Sequence, residues 1–234
     1  MSEWAAKRFY EDATVQSDDG GFSVRLDGRP IRTPGKSPIV MPSETMAERV
    51  AAEWLAQDDV IDPRTMPWTR SVNSAIDKVA TQRAEVADHL VSYVGTDLLC
   101  YRADGPQALV DRQAAAWDPI LSWLTQRYDV KLKTTAGVMP VEQAPDVAAR
   151  MMPVMESMTD FEMTGFYELV TLSGSFTLAL AAVGERQPIE SLWEISRIDE
   201  RWQIEQWGAD EEAEEAAELK RAAFLHADAF FRAA

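Results

Sequence analysis

The chain has 234 residues, of which 46% are hydrophobic and one, Cys100, is cysteine; its formal net charge is −16. The apolar content excludes a disordered chain, and the single cysteine excludes an intrachain disulfide or a cysteine-based zinc site. The acidity makes nucleic acid and anionic membrane surfaces poor partners, and it favours a basic protein surface or a solubility requirement.

The first predicted elements are short strands. In FSVRL, Phe22, Val24 and Leu26 alternate with polar residues, as in a strand with one buried face. Turns that contain glycine precede and follow this segment. FYEDATV and SPIVM are candidates to pair with it, and the four nearby prolines favour short or edge strands. These patterns predict a β-rich N-terminal domain over residues 1–43.

The apolar period changes at Ser43, which is a predicted helix N-cap followed by Met46 and Val50 at helical spacing. Residues 44–234 are predicted to form a mainly α-helical domain, with a short extended segment near 130–140. The sequence therefore predicts an α+β fold, in which a small N-terminal β-rich domain precedes a larger all-helical C-terminal domain.

The helical part contains two ambiguous segments. Pro119 interrupts a helix face that ends at Tyr128, so one kinked helix and two separate helices both fit. Residues 163–183 approach membrane-spanning length, but Glu168 and the four Ser/Thr that follow it favour a buried helix over membrane insertion. Helices are predicted at about 145–159, 160–183, 188–207 and 210–232.

The sequence lacks a motif for catalysis or metal binding. His89 and His226 have no partner at metal-ligand spacing, and no phosphate-binding loop is present. The residues 173–175, SGS, are predicted to allow close helix packing rather than to hold a nucleophile. Cys100 is predicted to be buried. We therefore predict no metal, no cofactor and no catalytic residue.

Carboxylates concentrate between Glu194 and Glu218, and several interpretations are open. Acidic residues in 210–218 fit a solvated helix start, where negative charge is stabilising. Glu200 is predicted to be exposed and suitably spaced to pair with Arg197. An aromatic residue beside exposed carboxylates also fits a surface for an arginine-bearing partner. A stripe on this segment is predicted to face the core: Ile195, Ile198 and Trp202.

Taken in order, these motifs resemble those of the F1 ATP synthase assembly chaperones that bind the F1 alpha subunit. KRFYEDATV and GGFSVRLDGRPIRTP come first, followed by PSETMAERVAAEW and TMPWTRSVNSAID. DLLCYR and RQAAAWDPILSWLTQRYDV follow, and SRIDERWQIEQWGADEEAEE comes last. The resemblance extends over nearly the whole chain.

The resemblance implies a molecular chaperone rather than an enzyme. Such proteins bind the free alpha subunit and prevent its aggregation until it assembles with beta. The resemblance also implies a β-rich domain followed by a helical domain, and a location in the bacterial cytoplasm or the mitochondrial matrix. The N-terminal sequence MSEWAAKRFYED has no recognisable transit peptide, which favours the bacterial location. We expect a monomer.

The resemblance also implies a site. The family's functionally sensitive acidic position precedes a WQ…WG segment and falls here on Asp199 or Glu200, of which we select Glu200. The predicted partner-binding residues are Glu200, Asp199, Trp207, Glu211 and Glu212. Two alternatives are an acidic adaptor or inhibitor of another basic protein, and an enzyme that pairs Asp199 with a carboxylate on a facing helix.

Overall fold

A computed structural model describes residues 7–137 and 139–234. Their contacts form two compact units. The first contains the described residues up to Arg83 together with Thr159–Gly165 and Ala229–Ala234, and the second contains Ala84–Met158 and Phe166–Asp228. The α+β class is confirmed, because a small three-stranded β region precedes a larger helical part. The three strands of this β region end before the predicted boundary at residue 43, whereas the first unit continues beyond it and contains helices.

The first unit is built on an antiparallel sheet in the order β1-β2-β3. Its strands are β1 (Ala13–Asp18), β2 (Gly21–Leu26) and β3 (Arg29–Pro30). Val24 and Leu26 of β2 are buried as predicted, and Phe22 is partly buried. Of the two segments predicted to pair with β2, FYEDATV contributes the start of β1. SPIVM pairs with β2 only through Met41, whose backbone forms two hydrogen bonds with that of Phe22.

Helix α1 (Glu44–Leu55) begins as predicted. The Ser43 hydroxyl accepts a hydrogen bond from the Met46 amide at 3.2 Å, and Met46 and Val50 are fully buried. Helix α2 (Pro67–Ser74) continues into a π-helical turn, Ala75–Val79. The carboxylate of Glu53 in α1 accepts hydrogen bonds from the first two backbone amides of α2 that have no partner within the helix. One helix therefore caps the next.

The core of the first unit includes residues that are distant in sequence. Phe230 is fully buried, and its ring lies 5.7 Å from that of Trp68 and 6.3 Å from that of Phe161. The same core contains Val24, Met46 and the other apolar residues of the sheet and α1. The last residues of the chain therefore complete the core that the N-terminal strands begin.

The second unit consists mainly of helices. The helices that lie wholly or mostly in it are α3 (Arg83–Ser92), α4 (Gln107–Tyr128), α5 (Asp146–Ser157), α6 (Asp160–Ser173), α7 (Phe176–Val183), α8 (Ile189–Ser196), α9 (Ile198–Trp207) and α10 (Glu211–Ala233). Two short parallel strands, β4 (Tyr101–Arg102) and β5 (Thr135–Ala136), pair with each other. In this unit α4 packs on α7 and α9, and α7 packs on α8.

Some predicted elements differ from those observed. Pro119 lies inside the single helix α4. The predicted helix at 160–183 was wrong, because α6 ends at Ser173 and Ser175 caps a new helix, α7. Gly174 has a φ of +70°, a value that glycine adopts readily and that ends a helix. The predicted helix at 188–207 is likewise divided, between α8 and α9. The segment near 130–140 is a connector that contributes the parallel strand β5.

A buried carboxylate holds the break between α6 and α7. Asp97 is fully buried, and its oxygens accept hydrogen bonds from the Leu99 amide, the Ser175 hydroxyl and both the amide and hydroxyl of Thr177, at 2.8–3.0 Å. Burial raises the pKa of Asp97 above its ordinary value. Ser175 is therefore also a polar member of a buried hydrogen-bond network, a role that its small size alone did not predict.

Cys100 follows this network and is fully buried, as predicted. Burial, with the nearby Asp97 charge, raises the pKa of its thiol to about 12. Within the described ranges, each helix is too short or too polar to cross a lipid bilayer.

Candidate partner-binding surface

Two helices joined by a short turn carry all five predicted site residues. Helix α9 ends at Trp207, and Gly208 follows it with a φ of +90°, a conformation that favours glycine at helix ends. Asp210 then accepts a hydrogen bond from the Ala213 amide at 2.8 Å and begins α10. We call residues 198–220, which comprise α9, the turn and the first ten residues of α10, the α9–α10 hairpin.

The α9–α10 hairpin is largely in contact with solvent. Every residue from 203 to 216 is exposed, and three large apolar side chains are among the exposed residues of the hairpin: Ile204, Trp207 and Leu219. The Trp207 side chain is 80% exposed. A short helix is only marginally stable by itself, and in a protein most of its stability comes from the packing of its apolar face. This hairpin therefore presents helical surface that the fold itself does not cover.

The start of α9 is anchored to α4. Asp199 accepts a hydrogen bond from the side-chain NH2 group of Gln113 at 2.6 Å. The side-chain oxygen of Gln113 accepts one from the Ala103 backbone amide at 2.8 Å. Gln113 is almost completely buried. The carboxylate of Asp199 is thus part of a chain of hydrogen bonds that positions α9.

A second contact anchors the middle of α9. Arg112 donates two hydrogen bonds to the Glu205 carboxylate, at 2.7 and 2.9 Å, and its guanidinium lies 5.1 Å from the centre of a Trp202 ring. The ion pair lowers the pKa of Glu205 below its ordinary value. Both contacts hold α9 against α4.

Residues of α8, α9 and α10 line a cleft of about 620 Å³. Trp193, Ile204 and Ala217 supply apolar surface to it. Its charged lining consists of Glu194, Glu200, Glu205, Glu214, Glu218, Arg197, Arg201 and Arg221.

Ion pairs neutralise most of the charge in the cleft. Arg197 pairs with Glu200 at 2.8 Å, as the spacing predicted. Arg201 pairs with Glu194, and Arg221 pairs with Glu218 at 3.1 Å. Glu205 is bound by Arg112, outside the cleft. Glu214 makes no ion pair with a residue in the described ranges.

A second groove, of about 600 Å³, lies on the other side of α9. Asp199, Trp202 and Trp207 line it together with Leu109 of α4. The structure therefore separates the predicted site residues. Asp199 and Trp207 line this groove and Glu200 lines the cleft, whereas Glu211 and Glu212 are exposed at the start of α10 and line neither.

The predicted core-facing stripe is only partly buried. Ile198 is buried, whereas Ile195 and Trp202 are half-buried. Trp202 faces the second groove and the guanidinium of Arg112 rather than the interior. Among residues 7–137 and 139–234, no group of three or more His, Cys, Asp or Glu side chains is placed to hold a metal ion.

Comparison with known proteins identifies the family. The family described as ATP12 chaperone protein matches residues 7–125, half of the chain. The crystal structure of Atp12 from Paracoccus denitrificans is similar with a TM-score of 0.92 and 46% identity, over 98% of this chain and 99% of that one. This chain belongs to the ATP12 chaperone family. It is therefore a chaperone, as the resemblance implied.

Two further ATP12 proteins are similar to it. An aspartate-to-lysine mutant of P. denitrificans Atp12p matches with a TM-score of 0.92 and 45% identity, over 99% of each chain. The mitochondrial protein atp12 of Schizosaccharomyces pombe is 22% identical over an alignment of 221 residues that covers 89% of this chain and 76% of that protein. The relatives thus include both bacterial and mitochondrial ATP12 proteins.

Sequence reasoning missed several residues that shape the surface of this ATP12 chaperone. Gln113 and Arg112 anchor α9, and Ile204 and Ala217 supply apolar surface to the cleft. A signal for the cleft exists in α10, where residues 214, 217, 218 and 221 repeat at helical spacing and share one face. No comparable signal exists for Gln113, because its partner lies 86 positions away.

Proposed function

We propose that this ATP12 chaperone assists assembly of the F1 sector of ATP synthase by binding the free alpha subunit through the α9–α10 hairpin. The bound alpha subunit would stay soluble until it assembles with beta. Family membership and the bacterial and mitochondrial relatives support the chaperone role. The observation that carries the assignment of the surface is the exposure of an acidic hairpin that also carries Trp207.

The chemistry of the hairpin suits a basic protein partner. Unassembled subunits of a ring expose interfaces that would otherwise aggregate. Exposed Trp207, Ile204 and Leu219 offer apolar contacts of the kind that dominate interface energetics. The surrounding carboxylates supply charge that selects arginine and lysine and increases the association rate. Glu200 is central in this proposal, because it lines the cleft together with Ile204.

The proposed mechanism uses binding and competition only. The chaperone covers surface of alpha that beta or the central stalk later occupies, and assembly displaces the chaperone because the competing contacts are more extensive. Neither nucleotide hydrolysis nor a metal ion is part of this mechanism. The proposal places a monomeric chaperone in the bacterial cytoplasm, or in the mitochondrial matrix for a eukaryotic chain.

Salt dependence is the first property that this mechanism predicts. The Debye length, over which charges interact before salt screens them, decreases from about 10 Å at 0.1 M salt to about 3 Å at 1 M. The affinity for alpha should therefore fall steadily with added salt, mainly through a slower association rate. An affinity that is unchanged or higher at high salt would contradict an acidic docking surface.

Co-expression with the F1 alpha and beta subunits of the same organism tests the proposal. Tagged chaperone should recover soluble alpha and leave beta behind, and alpha expressed alone should precipitate. Recovery of both subunits equally would contradict selective binding of alpha. Recovery of neither would contradict the proposed client, and it would favour the acidic adaptor that binds another basic protein.

A further inference from the structure

We infer that the cleft between α9 and α10 receives a helical segment of the client that carries arginine or lysine beside an apolar residue. The inference rests on the proposed function and specifies how the client is held. It assigns the main contact to the cleft that Glu200 lines, rather than to the groove that Asp199 and Trp207 line.

The lining of the cleft supports a helical occupant. Residues of three helices line it, and their apolar members are Trp193 of α8, Ile204 of α9 and Ala217 of α10. Around Ala217, the first ten residues of α10 have no buried side chain. A further helix seated in the cleft would give α9 and α10 the apolar contact that they lack. This is the helix-in-groove mode of recognition.

The charges of the cleft specify a basic occupant. Each arginine of the cleft already has a carboxylate partner. Glu205 is bound by Arg112, so Glu214 is left as a carboxylate without an ionic partner among the described residues. An arginine or lysine of the occupant can pair with Glu214 and share Glu200 with Arg197. Such pairs strengthen when the bound segment excludes water.

The same charges oppose a second copy of this chain as the occupant. The chain has a formal net charge of −16, and residues 198–218 alone contain nine Asp or Glu against one Arg. Two such surfaces in contact would place like charges together, which destabilises an interface. A client of the opposite charge is therefore the occupant that the cleft fits.

Crosslinking from the two sides of α9 tests where the client lies. A photoreactive phenylalanine analogue replaces Ile204, which lines the cleft, or Gln203, which lines the second groove. Each protein is mixed with purified F1 alpha, irradiated and analysed by mass spectrometry. Position 204 should crosslink to a helical segment of alpha that contains arginine or lysine. Crosslinks from position 203 alone, or from 204 to a segment without basic residues, would overturn the inference.

Filling the cleft provides an independent test with a matched control. Ala217→Trp places an indole in the cleft, whereas Ala216→Trp adds the same group at an exposed position of α10 outside it. The first change should weaken binding of F1 alpha by about tenfold or more, and the second by less than about twofold. Equal affinities for the two variants would overturn the inference.

The outcomes separate the two proposals. If wild type binds alpha and Ala217→Trp binds equally well, only the cleft assignment fails. If wild type itself does not bind alpha, the proposed function fails, and the cleft assignment fails with it. Circular dichroism checks that both tryptophan variants fold. If Ala217→Trp does not fold, the crosslinking result decides whether the client lies in the cleft.

Discussion

Two regions of the second unit use carboxylates in opposite ways. At Asp97, one fully buried carboxylate accepts four hydrogen bonds from Leu99, Ser175 and Thr177. In the α9–α10 hairpin, many carboxylates lie in solvent, and Glu214 has no ionic partner among the described residues. Buried polar groups are costly unless they are fully paired, so the Asp97 network specifies the fold. Exposed charges contribute little to stability, so those of the hairpin are available to a partner.

The difference teaches that stability and binding can be perturbed separately in this protein. Changes at Asp97 should unfold the second unit, and they should affect the client only through that loss. Changes on the cleft side of α9 should leave the fold intact and remove binding. The start of α9, where Asp199 is bound by Gln113, lies between these extremes.

Removal of the buried carboxylate should have the largest effect on stability. Asp97→Ala leaves the Ser175 hydroxyl and the amide and hydroxyl of Thr177 buried without an acceptor. The free energy of unfolding should fall by about 3–5 kcal/mol, as measured by urea denaturation. Glu48→Ala, at an exposed position on α1, serves as the control and should change it by less than about 0.5 kcal/mol. A loss under about 1 kcal/mol at Asp97 would contradict the role of the network.

Asp199→Ala should have a smaller effect on stability. It removes the acceptor of the buried Gln113 amide, so the unfolding free energy should decrease by about 1–2 kcal/mol. Glu200→Ala, one residue further along α9, should cost less than about 0.5 kcal/mol, because it loses only a partly exposed ion pair with Arg197 three residues away. Thermal unfolding of the two variants distinguishes the positioning carboxylate from the one available to a partner. Equal losses would remove the distinction.

The buried thiol gives a pH-dependent test of the same interior. The pKa of Cys100 is raised from 9.0 to about 12 in the folded protein, so the native state holds this proton where the unfolded chain releases it. Stability should therefore decrease as the pH rises above 9, by about 1 kcal/mol per pH unit.

The Cys100→Ala variant should not show this part of the decrease in stability. Urea denaturation of both proteins at pH 8, 9 and 10 would measure the difference. A thiol reagent at pH 8 should also react far more slowly with native than with urea-unfolded protein. Equal reaction rates in the two states would show that the thiol is accessible in the native protein.

The parts of the fold that local pattern specifies were predictable. The alternation of Val24 and Leu26 identified β2, and Ser43 with Met46 and Val50 identified the start of α1. The break at Gly174 was not predictable, because an apolar run has the same appearance in one helix or in two. What ends α6 is a glycine conformation together with a carboxylate 78 positions away from Ser175.

The candidate site was likewise predictable from the sequence only in part. Pairing of Arg197 with Glu200 follows from a spacing of three residues on a helix. The bond from Gln113 to Asp199 depends on the packing of α4 against α9, which periodicity does not reveal. Sequence therefore located the acidic segment, but it could not show that its adjacent carboxylates face different grooves.

The most direct test of the hairpin as a partner surface is the affinity of F1 alpha for Glu200→Lys, measured beside its thermal stability. Glu48→Lys makes the same change in net charge at an exposed position on α1. Glu200→Lys should bind alpha at least about tenfold more weakly than Glu48→Lys, while both variants unfold within about 0.5 kcal/mol of wild type. Equal binding by the two variants would contradict the assignment of the α9–α10 hairpin as the client-binding surface.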